Sequence, residues 1–282
     1  MLTRTAKRTI KEGLMLPRRL TSARRVLPDF LLIGAQKAGT TSLYHYLTQH
    51  PRVLPVHRKE VHYFDIGYRR GLGWYRSFFP TAREVQREAA LTGEASPYYL
   101  FHPQVPARIR QDLPDAKLIV LMRNPVDRAY SHYHHEVRKG YETLPFEEAV
   151  DREEERIAEE TARLGADPAY YSQAHRSFSY LARGRYLEQL RPWIDRFGRE
   201  QMLLLPGERM YADPQGVLDA VCGFLGIEPF GGFRFRKHND FRYDPLDPAL
   251  RARLAAYFRP HNEALYDALG EDYGWEREAA AG

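Results

Sequence analysis

Cysteine is almost absent: Cys222 is the single thiol in 282 residues. An internal disulfide and a cysteine-rich zinc site are therefore excluded, and Cys222 itself sits in the apolar run Val221 to Leu225, which reads as core. No stretch of 18 or more apolar residues occurs, so no segment reads as a transmembrane helix. Gly/Ser-rich and Pro-rich linkers are missing too, which favours one large domain over two small ones at this length. There is no internal repeat. His57 and His62 have neither a helical H-x-x-x-H pairing nor a cysteine partner, so no metal site is expected.

The folded body also lacks an excess of positive charge. The net charge is +5, but residues 1–28 carry eight Lys/Arg (Arg4, Lys7, Arg8, Lys11, Arg18, Arg19, Arg24, Arg25) against Glu12 alone, which leaves the remainder at about −2. The basic character is that of a tail, and no nucleic-acid partner is implied. The sequence predicts a basic, flexible tail over residues 1–27 and one domain over 28–275. The twin arginines Arg24 and Arg25 precede an apolar segment too short for an export signal. A cytoplasmic protein is expected, with a tail that either stays solvated or lies peripherally on an anionic membrane surface.

What is present is organised around Pro28-Asp-Phe-Leu-Leu-Ile-Gly-Ala-Gln-Lys-Ala-Gly-Thr-Thr-Ser-Leu-Tyr-His-Tyr-Leu47. The short continuous run Phe30 to Ile33 suits a strand buried on both faces. Gly34 and Gly39 bracket a turn that needs close backbone approach or positive φ. Thr40, Thr41 and Ser42 open a helix to about Gln49, whose free N–H groups and positive dipole end attract an anion. Against the phosphate-loop spacing G-x-x-x-x-G-K-[ST], Gly34, Gly39 and Thr41 are in register, but Thr40 holds the lysine position and the lysine is Lys37, inside the loop. The cradle survives with its cation moved, which speaks against an ordinary ATPase.

A second strand–helix unit follows at Lys117 to Met122 and Arg123-Asn-Pro-Val-Asp-Arg-Ala-Tyr-Ser131. Pro125 sits where a helix begins. Arg123 lies at the carboxyl end of the strand, where open α/β sheets bind ligands. Its guanidinium and the Ser131 hydroxyl suit a phosphate. Between the two units, His57-Arg-Lys-Glu-Val-His-Tyr-Phe-Asp65 is dense in titratable groups and suits a loop lining a cleft. Removing a proton from an acceptor needs a base near the donor, and Glu60 is the candidate.

These segments resemble the sulfotransferases that use 3′-phosphoadenosine 5′-phosphosulfate (PAPS), and within them the heparan sulfate and related glycan branch. Its loop reads I-G-x-x-K-x-G-T-[ST]. Its K-E-x-H-[FY]-F-D pattern fits Lys59, Glu60, His62, Tyr63, Phe64 and Asp65. Its R-[ND]-P-x-x-R-x-x-S motif is filled from Arg123 to Ser131. The resemblance implies a P-loop-like, three-layer α/β fold with a central, mainly parallel sheet and helices on both faces. It implies that Gln36, Lys37, Ala38, Gly39, Thr40, Thr41 and Ser42 hold the 5′-phosphosulfate, that Arg123 and Ser131 hold the 3′-phosphate, and that Tyr186 and Lys237 add donor contacts. Catalysis would fall to Lys37, Glu60 and His62, with no metal required. Lys59, Asp65, Glu94 and Tyr98 would face the acceptor, and His134, by its place on the helix after Arg123, is read as facing the cleft beside them. In the family's E-K-[ST]-P-x-Y segment, matched here by Glu94, Ser96 and Pro97, Ala95 replaces the lysine. A carbohydrate or glycoconjugate hydroxyl or amine is the expected acceptor; a lipid, polyketide or other small metabolite is the alternative. A P-loop kinase and a non-catalytic nucleotide-binding module remain as readings of another class. The terminal segment Asp247 to Leu269 is expected as a helix in two parts, bent or broken near Pro260, and the acidic stretch Pro145 to Gly165 as one charged helix that forms a solvated face or a lid.

Overall fold

The computed structural model describes residues 15–235 and 243–276. Five strands form one parallel sheet: β1 (Phe30–Gly34), β2 (Val53–Pro55), β3 (Leu91–Ala95), β4 (Lys117–Met122) and β5 (Met202–Pro206), in the spatial order β2-β3-β1-β4-β5. All five residues of β1 are buried, as are five of the six in β4. Helices cover such a sheet on both faces, so β1 and the buried part of β4 are apolar on both sides. This is the three-layer α/β arrangement that the two apolar runs predict.

The order places β1 centrally. The chain moves to one side of it for β2 and β3, then to the other for β4 and β5. A cleft opens beyond the carboxyl ends of the strands where the direction reverses. The helices Thr40–Leu47 and Pro125–Arg138 begin there, one after β1 and one after β4. Tyr186–Phe197, Pro214–Leu225 and Pro248–Leu269 complete the shell.

Three sequence expectations change. Residues 15–27, assigned to the tail, pack on the body: Met15 is buried, and the Arg18 guanidinium donates to the carbonyls of Ser77 (2.7 Å), Phe78 (3.2 Å) and Phe79 (2.8 Å). Arg25 adds a bond to the Phe79 carbonyl at 2.7 Å. These arginines cap carbonyls that lack helical partners, so their charge has a local structural use. Second, Pro248–Leu269 is one helix running through Pro260; burial of Leu254, Phe258 and Leu265 on one face offsets the single missing hydrogen bond. Third, the acidic stretch from Pro145 to Gly165 forms two helices, Phe146–Asp151 and Glu153–Ala166, and Glu153 is buried rather than solvated.

Candidate active site

The loop after β1 has the conformation its glycines permit. A side chain on Gly34 would place Cβ 2.6 Å from Leu100 Cβ, so the close approach admits no substituent. Gly39 has φ +101° and caps the Thr40–Leu47 helix. Lys37, between them, also has positive φ (73°); non-glycine residues held there are uncommon and cluster at functional sites. The loop and the first helical turn line a cavity of about 370 Å³ with Gln36, Lys37, Gly39, Thr40, Thr41 and Ser42. Ala38 points into the core instead. Burial, then the charges of Arg138, Arg123 and Lys139, push the Lys37 ammonium down to about 8.

The wall on the β4 side carries Arg123, Ser131, His135 and Lys139. Arg123 is fixed through its backbone: its N–H donates to the Tyr186 hydroxyl (3.2 Å), which donates in turn to the Arg123 carbonyl (2.7 Å). Tyr186 is fully buried and does not line the cavity, so it supports Arg123 from behind. Asn124 caps the helix through Val126 N–H at 3.0 Å. Ser131, His135 and Lys139 follow at intervals of four and share one face. Burial, Lys37, Lys139 and Arg138 drive the His135 imidazolium down to about 3. His134, one residue earlier, turns away and stacks on Tyr243 at 4.3 Å.

The opposite wall is the Glu60–Asp65 loop, stapled to the end of β3. Glu60 and His62 both have φ 56°. Glu60 N–H donates to the Ala95 carbonyl (3.2 Å), Val61 N–H to Glu94 Oε2 (3.2 Å) and His62 N–H to Ser96 Oγ (3.4 Å). Glu94 is wholly buried. Its carboxylate also accepts from Tyr75 (2.8 Å), Tyr99 (2.9 Å) and Ser96 (2.8 Å) hydroxyls. It therefore braces the loop from behind and does not reach the cleft, contrary to its expected place against the acceptor.

In the cleft, Glu60 is exposed. Its Oε1 lies 3.0 Å from Lys59 Nζ and its Oε2 3.5 Å from His62 Nε2. Lys59 Nζ donates also to Thr41 Oγ1 at 2.9 Å, tying this loop to the anion cradle. Buried Asp65 holds His62 Nδ1 at 2.6 Å. Burial opposes charge on His62, but the charge and hydrogen bond of Asp65 and the hydrogen bond to Glu60 outweigh it and raise the ring to about 9. Partial desolvation by the cleft walls likewise opposes charge on Glu60; the His62 and Lys59 contacts prevail and hold it well below the usual carboxylate range. Arg176 Nη2 lies 3.1 Å from His62 Nε2, a contact that suits a neutral ring. Two carboxylates against one guanidinium favour the imidazolium.

Tyr98 lines the cleft and is fixed by His175 Nδ1 at 2.7 Å. Lys237 lies outside the described residues. Sequence reasoning missed Arg176, Arg183, His135 and Lys139, all on the cavity wall. For His135 and Lys139 the signal was helical spacing from Ser131. For the two arginines the local sequence carried no signal.

An anion cradle and a facing arginine–serine pair, with a carboxylate–imidazolium pair across the cleft, define a group-transfer site for an anionic donor. Residues 27–238 match the family described as Sulfotransferase domain, and the chain belongs to that family: it is a sulfotransferase, a transferase. It is 32% identical to human heparan sulfate glucosamine 3-O-sulfotransferase 3B1 over 90% of this chain and 66% of that one. It is 29% identical to the membrane-associated sulfotransferase kil1 of Dictyostelium discoideum over 89% and 67%. The chain thus spans about two thirds of the length of these curated relatives. The crystal structure of a sulfotransferase from Alicyclobacillus acidocaldarius, 34% identical, superposes with a TM-score of 0.67 over 89% of this chain and 99% of its own. Among the described residues no helix is long and apolar enough to cross a membrane.

Proposed function

We propose that the sulfuryl donor is PAPS and the acceptor a hydroxyl or amine of a carbohydrate or glycoconjugate. The observation that carries the donor is the meeting of the Gln36–Ser42 cradle and the Arg123–Ser131 pair in one cavity. Two separate anion sites on neighbouring strands suit a nucleotide phosphorylated at both the 5′ and 3′ positions, and ATP has nothing for the second. Bound PAPS supplies a sulfuryl group joined to phosphate through a good leaving oxygen. Lys37, the Thr41 and Ser42 hydroxyls and the helix N–H groups supply a fixed positive field at that oxygen. Glu60, exposed in the cleft, takes the acceptor proton on its carboxylate as transfer proceeds. His62, held charged by Asp65, orients Glu60 and keeps it ionised until then. Glycan acceptors are favoured because the relatives named above include a heparan sulfate glucosamine sulfotransferase. The basic amino-terminal residues offer a peripheral contact with an anionic membrane surface.

Calorimetric titration with 3′-phosphoadenosine 5′-phosphate, ADP and ATP tests the donor. Preference for the 3′-phosphorylated ligand, lost in Arg123→Ala, is expected. Tighter ATP binding, or no effect of Arg123→Ala, overturns the assignment.

A further inference from the structure

Arg183 is a buried cation with no carboxylate in contact with it among the described residues. It is 2% exposed yet lines the cavity. Its Nε donates to Ser179 Oγ (2.8 Å), its Nη2 to the Arg176 carbonyl (2.7 Å), and its Nη1 to Gln36 Oε1. Its guanidinium carbon lies 4.8 Å from the Tyr98 ring centre and 5.0 Å from that of Phe101. Every one of these partners is neutral, and no ion pair to Arg183 forms among the described residues. A buried charge left in this way is costly unless something supplies the opposite sign. Burial pushes the guanidinium down to about 9; Tyr98 and the more distant Glu136 oppose the shift, and the positive charges of Arg128 and Arg176 add to it. Aromatic faces and neutral oxygens hold the group in place but do not neutralise it.

Its position limits what anion can do so. Arg183 reaches the cradle at Gln36, the residue before Lys37, and approaches over Tyr98, on the same side as His62 and Arg176. Arg123 and Ser131 approach from the β4 side. The part of a donor between Lys37 and Glu60 is the group being transferred. Resting on the PAPS reading above, we propose that Arg183 contacts the non-bridging oxygens of the donor's sulfuryl group and is the counter-charge that distinguishes a sulfuryl-bearing ligand from the desulfated product. In transfer the bond from sulfur to the 5′-phosphate oxygen breaks, with its electron pair going to that oxygen. The bond from sulfur to the acceptor oxygen forms, and the acceptor proton goes to Glu60. Arg183 stays with the sulfuryl oxygens throughout, while Lys37 serves the leaving oxygen.

Equilibrium binding of PAPS and of 3′-phosphoadenosine 5′-phosphate to the purified full chain, without acceptor, tests this. The two ligands differ only in the sulfuryl group. Arg183→Met is expected to weaken PAPS binding about 10- to 100-fold, the range for a lost charge-assisted hydrogen bond. Binding of 3′-phosphoadenosine 5′-phosphate should change by no more than about twofold. Arg183→Lys should recover part of the loss, and serves in place of Arg183→Met if that variant melts early. Equal losses for both ligands would show that Arg183 only shapes the cradle and overturn the proposal, as would unchanged PAPS binding. Failure of the unaltered protein to prefer these ligands over ATP would instead overturn the donor assignment.

Discussion

Lys37 offers a quantitative test of the cradle through protons. In the free protein its ammonium is pushed down to about 8 by burial and by Arg138, Arg123 and Lys139. A bound phosphate reverses the local balance and restores the ammonium toward its ordinary value near 10.4. At pH 8 about half of the free molecules carry neutral Lys37, so each binding event takes up about 0.5 proton there. The uptake falls to about 0.1 at pH 7 and rises to about 0.9 at pH 9. The sign follows from a pKa raised by the ligand: affinity is fully present below about 8 and is lost as pH rises through it. The loss approaches tenfold, or about 1.4 kcal/mol, per pH unit above 8. Calorimetric titration of 3′-phosphoadenosine 5′-phosphate in buffers of different ionisation enthalpy measures the proton number directly. Lys37→Met should abolish the uptake at pH 8 and flatten the pH dependence while lowering affinity. Uptake that is absent in the unaltered protein, or persists unchanged in Lys37→Met, refutes the assignment.

Two further outcomes follow from the braced loop. Glu94→Leu strands the buried hydroxyls of Tyr75 and Tyr99 and frees the loop from Val61; a loss of about 3–5 kcal/mol is expected in chemical denaturation, with Glu94→Gln losing less. Asp65→Asn removes the charge that holds His62 up near 9, so the ring should titrate lower and the charged form should disappear at a lower pH, as read from its NMR shifts. Turnover should then lose its alkaline side earlier, with product affinity little changed.

Elements whose information is local were legible in the sequence. The apolar runs of β1 and β4 and the spacing from Gly34 to Thr41 define a strand, a cradle and a helix start without reference to the rest of the chain. The Glu60–Asp65 segment was legible as a polar loop, and Glu60 and His62 do share the cleft with Lys37. Side-chain direction was harder to read. Glu94 lies beside Ser96 and Pro97, yet the strand turns its carboxylate toward Tyr75 and Tyr99. His134 and His135 differ by one helical step, and spacing from Ser131 selects the second. Tyr186 sits at a helix start where an aromatic serves core or ligand equally well, and its hydroxyl binds backbone. Arg176 and Arg183 reach the cleft from a segment more than 130 residues beyond the cradle by sequence, and no local spacing announces them.

The reversal of chain direction at β1 separates duties within the cavity. The anion cradle and the Arg123–Ser131 pair belong to β1, β4 and the helices that follow them, and the two strands pair from Phe30 with Lys117 to Gly34 with Val120. Across the cavity, on the far side of β1, the wall is made by the loops that carry Glu60, His62, Pro97 and Tyr98. These loops can be exchanged or lengthened while the β1–β4 pairing stays as it is. A scaffold divided in this way lets the outer wall be refitted by loop grafting, provided Glu60 is kept, while the anion cradle is inherited intact.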